Sequence, residues 1–267
     1  MKLQARPVEK PWGRTDLEPV FRAPSSQRIG EIWFQDPKLH DPPLLVKYLF
    51  TGDKLSIQVH PNDKDAHDRG FDGGKNECWY ILRAEEDAQL GLGLKAPVSK
   101  DELHSAAIDG SIEQLINWRT ANAGDFFYVP AGTIHAIGAG ITLLEIQQNS
   151  DITYRLYDYG RPRELHLDDA IAVSLRGPYA EQRVCNSRTT TDDVLLDGAP
   201  FSVIRASSLE GIPASLTWRQ RWIMPLHGTA VSKTENASAG ECLFLEPGED
   251  LVLSPNTLVL IGVAGRI

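Results

Sequence analysis

The stretch Leu55-Ser56-Ile57-Gln58-Val59-His60-Pro61, followed by Lys75-Asn76-Glu77-Cys78-Trp79-Tyr80-Ile81-Leu82, decides how the chain is read. Leu55 to His60 alternates in character, the period-two pattern of a strand, so Gln58 and His60 project to one face. Pro61 has no backbone donor and suits that strand's end. Glu77 opens a second strand-like run, rich in aromatic and β-branched residues. A hairpin between the two runs would bring Gln58, His60 and Glu77 together as an incomplete metal site.

A fourth ligand lies downstream. Gly124-Asp125-Phe126-Phe127-Tyr128-Val129-Pro130-Ala131-Gly132-Thr133-Ile134-His135 reads as strand, turn, strand, with His135 set at the start of a run from Ile134 to Ile137. An amide oxygen, two imidazoles and a carboxylate suit Zn²⁺ or another divalent first-row ion better than Ca²⁺ or Mg²⁺. No cysteine is needed, so the site would be of the open, catalytic kind. Either histidine alone would read as a semi-buried residue beside a turn. Their joint placement at strand ends, each beside a proline turn, outweighs that reading.

The chain has 267 residues, 42% hydrophobic and 24% charged, which permits one large domain or two small β domains. A formal net charge of −9 argues against nucleic acid or an anionic membrane as a partner. An anionic small substrate would need local lysine or arginine at its site. Cys78, Cys185 and Cys242 are odd in number and scattered, which argues against a disulfide framework and suits a reducing compartment. Residues 1–10 carry no signal-peptide core, and no apolar run approaches the roughly 18 residues of a membrane span. These features predict a cytoplasmic protein, monomer or small homo-oligomer.

Along the chain, residues 1–27 are punctuated by Pro7, Pro11, Pro19 and Pro24 and predict an extended, wrapping arm. Ile29 to Phe34 reads as a short strand whose Glu31 could face a site or water, with water favoured. Leu44 to Phe50 is a continuous apolar run, a buried strand with Lys47 as its one charge. Asn62 to Gly70 predicts a helical turn. Ser99 and Glu102 form a capping box that starts a helix over 100–107, and a second helix is expected from Ser111 to Trp118. This pair predicts a small helical insertion near 98–120, covering one end of the sheets. A further helix is expected from Leu167 to Leu175. Residues 180–267 read as a second β unit, with strands at 201–206, 216–224, 242–246, 251–253 and 258–263. There Gly240-Glu241-Cys242-Leu243-Phe244-Leu245-Glu246-Pro247-Gly248 echoes Gly124 to Gly132, but Leu251 falls where the echo would place His135. The second unit is therefore expected to lack a metal and to serve packing.

Many short strands, Gly/Pro turns and no βαβ alternation resemble the cupins, built as jelly-roll barrels. Leu-Ser-Ile-Gln-Val-His-Pro, Lys-Asn-Glu-Cys-Trp-Tyr, Val-Pro-Ala-Gly-Thr-Ile-His-Ala and Ser-Asp-Ile-Thr-Tyr-Arg resemble, in order, blocks of the type I mannose-6-phosphate isomerases. Ile-Gly-Glu-Ile-Trp and the N-terminal Pro-Trp-Gly fit as well. The resemblance is strong over residues 5–175 and weak beyond. It implies a mainly β fold of two cupin-like barrels: a catalytic, metal-binding domain over 1–175 and a metal-free one over 180–267. It implies one Zn²⁺ on Gln58, His60, Glu77 and His135, and a zinc-dependent interconversion of mannose 6-phosphate and fructose 6-phosphate through a cis-enediol. Arg155, Lys75, Glu145 and Asp151 match catalytic positions, with Glu145 and Asp151 both open as the base. Ser56, Lys47 and Arg161 fall where the family handles phosphate or sugar hydroxyls. Two departures stand out. The long helical insertion of larger members is missing, and Gly74 stands where some relatives place a histidine, which puts any such histidine role in doubt here.

Two other classes compete with the isomerase. A cupin oxidoreductase using iron and O₂ would carry more histidine; Gln58 and the Lys/Arg set argue against it. A non-enzymatic sugar-phosphate-binding cupin would keep the pocket without turnover.

Overall fold

The long strand pairings leave two antiparallel sandwiches joined through one shared core. The computed structural model describes residues 1–17, 20–21, 26–180, 184–186, 193–198, 200–210 and 212–267. Pro19 and Pro24 of the expected arm lie outside the described residues, as does the side chain of Cys185. Cys78 and Cys242 are buried free thiols. No helix among the described residues is long and apolar enough to cross a membrane.

The first sandwich has a seven-stranded sheet in the spatial order Gln4–Arg14, Ile29–Gln35, Leu44–Phe50, Ile141–Gln148, Glu77–Ala84, Asp125–Val129 and Val184–Asn186. Facing it is a five-stranded sheet ordered Tyr154–Tyr157, Ile57–Val59, His135–Ile137, Gln89–Leu94 and Ile116–Thr120. The two stretches that open the sequence reading thus lie in opposite sheets. The expected hairpin between them does not form; Ile57–Val59 pairs with Tyr154–Tyr157 and His135–Ile137 instead. Convergence across the sandwich, rather than along a ribbon, brings their side chains together.

Burial explains the patterns. The seven-stranded sheet is covered on both faces, so Leu44–Phe50 is buried at every position. One face packs Trp79, Ile81, Phe127 and Leu143 against Leu90, Leu92 and Ile137 of the facing sheet. The other packs Tyr48, Tyr80, Tyr128 and Ile146 against Phe201, Trp222, Phe244 and Leu260 of the second sandwich. That second sandwich has a five-stranded sheet, Asp193–Asp197, Phe201–Ala206, Leu258–Ala264, Arg221–His227 and Leu243–Leu245, and a three-stranded one, Asn236–Ser238, Thr229–Val231 and Val252–Leu253.

The helices cover the outer face of the first sandwich's five-stranded sheet. Leu103, Ala107, Ile112, Ala170 and Ile171 pack on Ile57, Val59, Ala136 and Leu156. This fixes which way those strands face: Ile57 and Val59 turn outward, so Gln58 and His60 turn into the sandwich. The Ser99 capping box forms, and the helix runs Lys100–Asp109. The second expected helix is cut short. It spans only Ile112–Leu115, and Ile116–Thr120 is an edge strand against Gln89–Leu94, since the Trp118 region finds a ladder to join. Likewise the expected strand over 216–224 begins only at Arg221, after a 3₁₀ turn at Ala214–Trp218.

The N-terminal arm is an 11-residue strand, Gln4–Arg14, paired with Ile29–Gln35. Just before it, Leu3 N donates to Cys242 O at 2.9 Å, so the arm spans both sandwiches. Val184–Asn186, beyond residue 180, pairs with Asp125–Val129 of the first sandwich.

Candidate metal centre and surrounding cleft

Each metal-ligand candidate is placed by a backbone device near a strand end. Gln58 and His135 are direct cross-strand partners on Ile57–Val59 and His135–Ile137. The Pro130-Ala131-Gly132 turn relies on Gly132 at φ 84°, where a side chain would be strained, and its Gly132 N–H donates to His60 O at 2.8 Å. Glu77 enters from the opposite sheet as the first residue of Glu77–Ala84. Asn76 ties that loop to the turn: its Oδ1 accepts from Ala131 N at 3.0 Å and from Tyr128 OH at 3.1 Å.

The histidines are oriented from behind. His60 Nδ1 lies 2.8 Å from Ile152 O and His135 Nδ1 lies 2.9 Å from Thr133 O. A carbonyl only accepts, so each Nδ1 carries the proton and each Nε2 presents a lone pair. Those lone pairs point at a carboxylate: His60 Nε2 is 3.4 Å from Glu77 Oε2, and His135 Nε2 is 3.3 Å from Glu77 Oε1. His60 Nε2 and Glu77 Oε2 are buried without a hydrogen-bond partner among the described residues. Converging buried acceptors are costly where they lack a partner, as His60 Nε2 does, and a cation among them would satisfy them together. His60, Glu77 and His135, each no more than 2% exposed, therefore form a group that could hold a metal ion. Gln58 stands beside it with its amide nitrogen, not its oxygen, 3.3 Å from His135 Nε2, while Oε1 accepts from Ser56 Oγ at 3.0 Å.

Electrostatics follow from burial and neighbours. Burial, aided by the charge of Lys75, pushes His60 down to about 3, and burial lowers His135 as well. Both imidazoles are thus neutral, the form a metal requires. Burial works against the charge on Glu77, but Lys75 and the imidazoles outweigh it and hold the carboxyl well below its usual range. Burial also opposes the Lys75 ammonium; Glu77, Glu145 and Asp151 together overcome that and raise its pKa. Lys75 Nζ is 3.2 Å from Glu77 Oε2, an ion pair without hydrogen-bond alignment.

Above this group opens a polar cleft lined by Ser56, Gln58, Lys47, Lys75, Glu77, Glu145, Asp151 and Arg155, eight of the eleven residues singled out from the sequence. His60 and His135 sit behind Glu77. Arg161 is not brought to the cleft; its guanidinium pairs with Asp158 at 3.2 Å and donates to Lys54 O. Arg163 lines the cleft instead, held on Asp158 by two hydrogen bonds of 2.6 Å. Glu145 is buried between Lys47 Nζ at 3.5 Å and Trp79 Nε1 at 3.1 Å, and burial plus the charge of Glu77 raises its pKa. Asp151 is exposed at the rim.

Glu31 does not face water. It is 8% exposed, lines the cleft, accepts from Trp33 Nε1 at 2.6 Å and pairs with Lys10 at 3.3 Å. Ile32 and Phe34 pack in the core shared with the second sandwich, so period two sends Glu31 to the opposite face, toward the cleft. Lys10, Arg163 and the clamp by Asn76 carried no such pattern. At Gly74, an added Cβ would stand 2.4 Å from Asn62 C and 2.6 Å from Pro61 O, so this loop has no room for the histidine of some relatives.

No family model matches the chain. It is 50% identical over 173 residues to mannose-6-phosphate isomerase ManA of Bacillus subtilis, covering 60% of this chain and 54% of that protein. It is 37% identical over 223 residues to a mannose-6-phosphate isomerase of Streptococcus mutans, covering 81% of this chain and 69% of the relative. The matched region thus spans only about half of the Bacillus relative's length. Among solved structures, a mannose 6-phosphate isomerase from Bacillus subtilis superposes with a TM-score of 0.80 at 26% identity, over 98% of both chains. On that likeness, sustained across more than two thirds of the Streptococcus relative, the chain belongs to the mannose-6-phosphate isomerase family.

Proposed function

We propose that this chain is a metal-dependent aldose–ketose isomerase that interconverts mannose 6-phosphate and fructose 6-phosphate through a cis-enediol. The observation that carries the reading is the buried His60–Glu77–His135 acceptor cluster at the base of a cleft lined by lysine, arginine and carboxylate side chains. We assign His60, Glu77, His135 and Gln58 as the residues that would hold the ion, with zinc the ion their nitrogen and oxygen donors suit. When bound, such an ion supplies a Lewis acid for the negative charge that develops on the sugar oxygens during enolisation.

The chain's own residues do the rest. Glu145, buried and with a raised pKa, is suited to take the C2 proton and return it to C1. Lys47 holds that carboxylate in place and balances its charge, and Trp79 Nε1 fixes its second oxygen. Lys75 lies between Glu77 and the cleft, where its ammonium can donate to a sugar oxygen. Asp151 at the rim and Ser56 at the floor serve the hydroxyls. Arg155 and Arg163 supply charge-assisted hydrogen bonds to the phosphate. In this reading residues 1–175 carry the chemistry, the protein works in the cytoplasm, and it is a monomer or small homo-oligomer.

Purified protein incubated with mannose 6-phosphate tests it. Fructose 6-phosphate should form, stop on adding a chelator, and resume when zinc is restored. Bound but unchanged sugar in the zinc-loaded protein would sink the isomerase reading.

A further inference from the structure

The connection from the strand Tyr154–Tyr157 to the helix Leu167–Val173 carries one cleft arginine and folds back onto another. Arg155 is the cross-strand partner of Gln58 and lines the cleft. Eleven residues on, His166 N donates to Arg155 O at 2.9 Å, and Arg155 N donates to His166 Nδ1 at 3.3 Å. Between these points the chain reverses in a tight turn, Asp158-Tyr159-Gly160-Arg161, closed by Arg161 N on Asp158 O at 3.0 Å. Tyr159 and Gly160 have φ of 55° and 75°, the two left-handed residues in a row that a type I′ turn requires. A tyrosine in that conformation is strained, so its surroundings must hold it there. Its ring packs edge to face on Tyr157 at 5.1 Å, with the Arg161 guanidinium 5.4 Å and the Lys54 ammonium 5.6 Å from its centre. Arg161 also donates to Lys54 O, which ties the turn to the segment leading into Ile57–Val59.

The group this turn delivers is Asp158. Its carboxylate is 3% exposed, accepts from Arg163 Nε and Nη2 at 2.6 Å each, and pairs with Arg161 at 3.2 Å. Two parallel bonds fix the plane of the Arg163 guanidinium, which one bond could not do. They engage two of its five N–H groups, and the others make no hydrogen bond among the described residues. With Asp158 on one side, the free edge is left for the cleft, whose wall Arg163 shares with Arg155. Burial, and after it the charge of Arg163, lower the Arg155 pKa, so the two cations feel each other. Without the fork, that repulsion would favour an Arg163 swung away from its neighbour.

Given the isomerase function proposed for this cleft, we propose that Asp158 is a positioning residue that selects for a phosphorylated sugar, holding Arg163 so that its free edge meets the phosphate. The consequence runs against charge counting. Asp158 places a negative charge near an anion's seat, so Coulomb's law alone makes it unfavourable there. A guanidinium already held in place, however, loses less freedom when the phosphate arrives. Asparagine has the shape of aspartate but one acceptor oxygen, and its amide would set donor against donor at Arg163. Asp158→Asn should therefore weaken phosphate binding although it makes the cleft more positive.

Kinetics and calorimetry with mannose 6-phosphate on the metal-loaded, full-length protein test this. Asp158→Asn should raise KM and Kd about fivefold or more, with kcat within about twofold of the wild type. Arg163→Lys keeps both the charge and the native carboxylate but cannot span two oxygens, and should do the same. It leaves Asp158 paired with Arg161 and decides the matter if Asp158→Asn does not fold. In an Arg163→Ala background, Asp158→Asn should add nothing, since nothing remains for it to position. Equal or tighter binding by Asp158→Asn, an unchanged KM and Kd in Arg163→Lys, a loss confined to kcat, or additive losses in the double variant would each overturn the proposal and leave wild-type turnover standing. Wild type that binds mannose 6-phosphate without converting it would remove the isomerase function instead, and the Kd comparison would still decide the role of Asp158. Wild type that does not bind it at all overturns both.

Discussion

Replacing Lys75 by methionine keeps a buried stem of similar length and removes the charge. Lys75 is 5% exposed and its ammonium sits 3.2 Å from Glu77 Oε2, the oxygen that also faces His60. Leaving a buried carboxylate without its partner ordinarily costs about 3–5 kcal/mol. At pH 8 the imidazoles cannot relieve Glu77 by taking up a proton, because burial holds both below 6.5. Metal-free Lys75→Met should therefore lose about 3–5 kcal/mol in a urea titration at that pH. With a divalent ion bound, the ion takes over the compensation of Glu77, and the native lysine faces a second cation. The loss should then shrink. If it falls from about 4 to about 2 kcal/mol, linkage requires the variant to bind the ion about 30-fold more tightly, at about 1.4 kcal/mol per tenfold. Urea unfolding in chelator and in saturating zinc, with a competitive zinc titration, measures both sides of that cycle. Equal losses in the two conditions, or an unchanged zinc affinity, would refute the idea that lysine and metal share one carboxylate.

In chelator, stability should fall as pH drops from 6.5 toward 4.5, because His60, pushed down to about 3 by burial and then by Lys75, takes its proton only in the unfolded chain. His60→Asn should flatten that limb of the denaturant midpoint against pH; an unchanged slope counts against the assignment. Arg163→Ala should raise the KM for mannose 6-phosphate tenfold or so, the weight of a charge-assisted hydrogen bond, whereas Arg161→Ala should change it little. The reverse order would restore Arg161 to the cleft. Gly74→His should lower the unfolding midpoint through overpacking worth about 1–3 kcal/mol or more, read by calorimetry, and should not add activity.

The mainly β architecture was legible because alternation and turn residues act locally. The Pro130-Ala131-Gly132 turn, the Ser99 capping box and the two-sided burial of Leu44–Phe50 all stand where the residues place them. What the pattern missed depends on distant partners. Trp118 looked helical beside Ile112 and Leu115 until the edge of Gln89–Leu94 claimed it as a strand. Glu77 and Gln58 read as neighbours on a ribbon because a short loop separates them, although the sandwich closes them from opposite sides. Glu31 required knowing that its sheet is covered on both faces, and Arg163 required the Asp158 fork that turns it inward.

The pairing of Leu3 with Cys242 sets a timetable for biosynthesis. Residue 3 finds this hydrogen-bonding partner only once the chain has been made as far as residue 242. Until then the nascent molecule holds Gln4–Arg14 against Ile29–Gln35 with one end untethered, and the aromatic face of Tyr48, Tyr80 and Tyr128 waits uncovered for Phe201, Trp222 and Phe244. Translation arrested short of residue 242 would leave that sticky aromatic surface to chaperones, however complete the first sandwich already is.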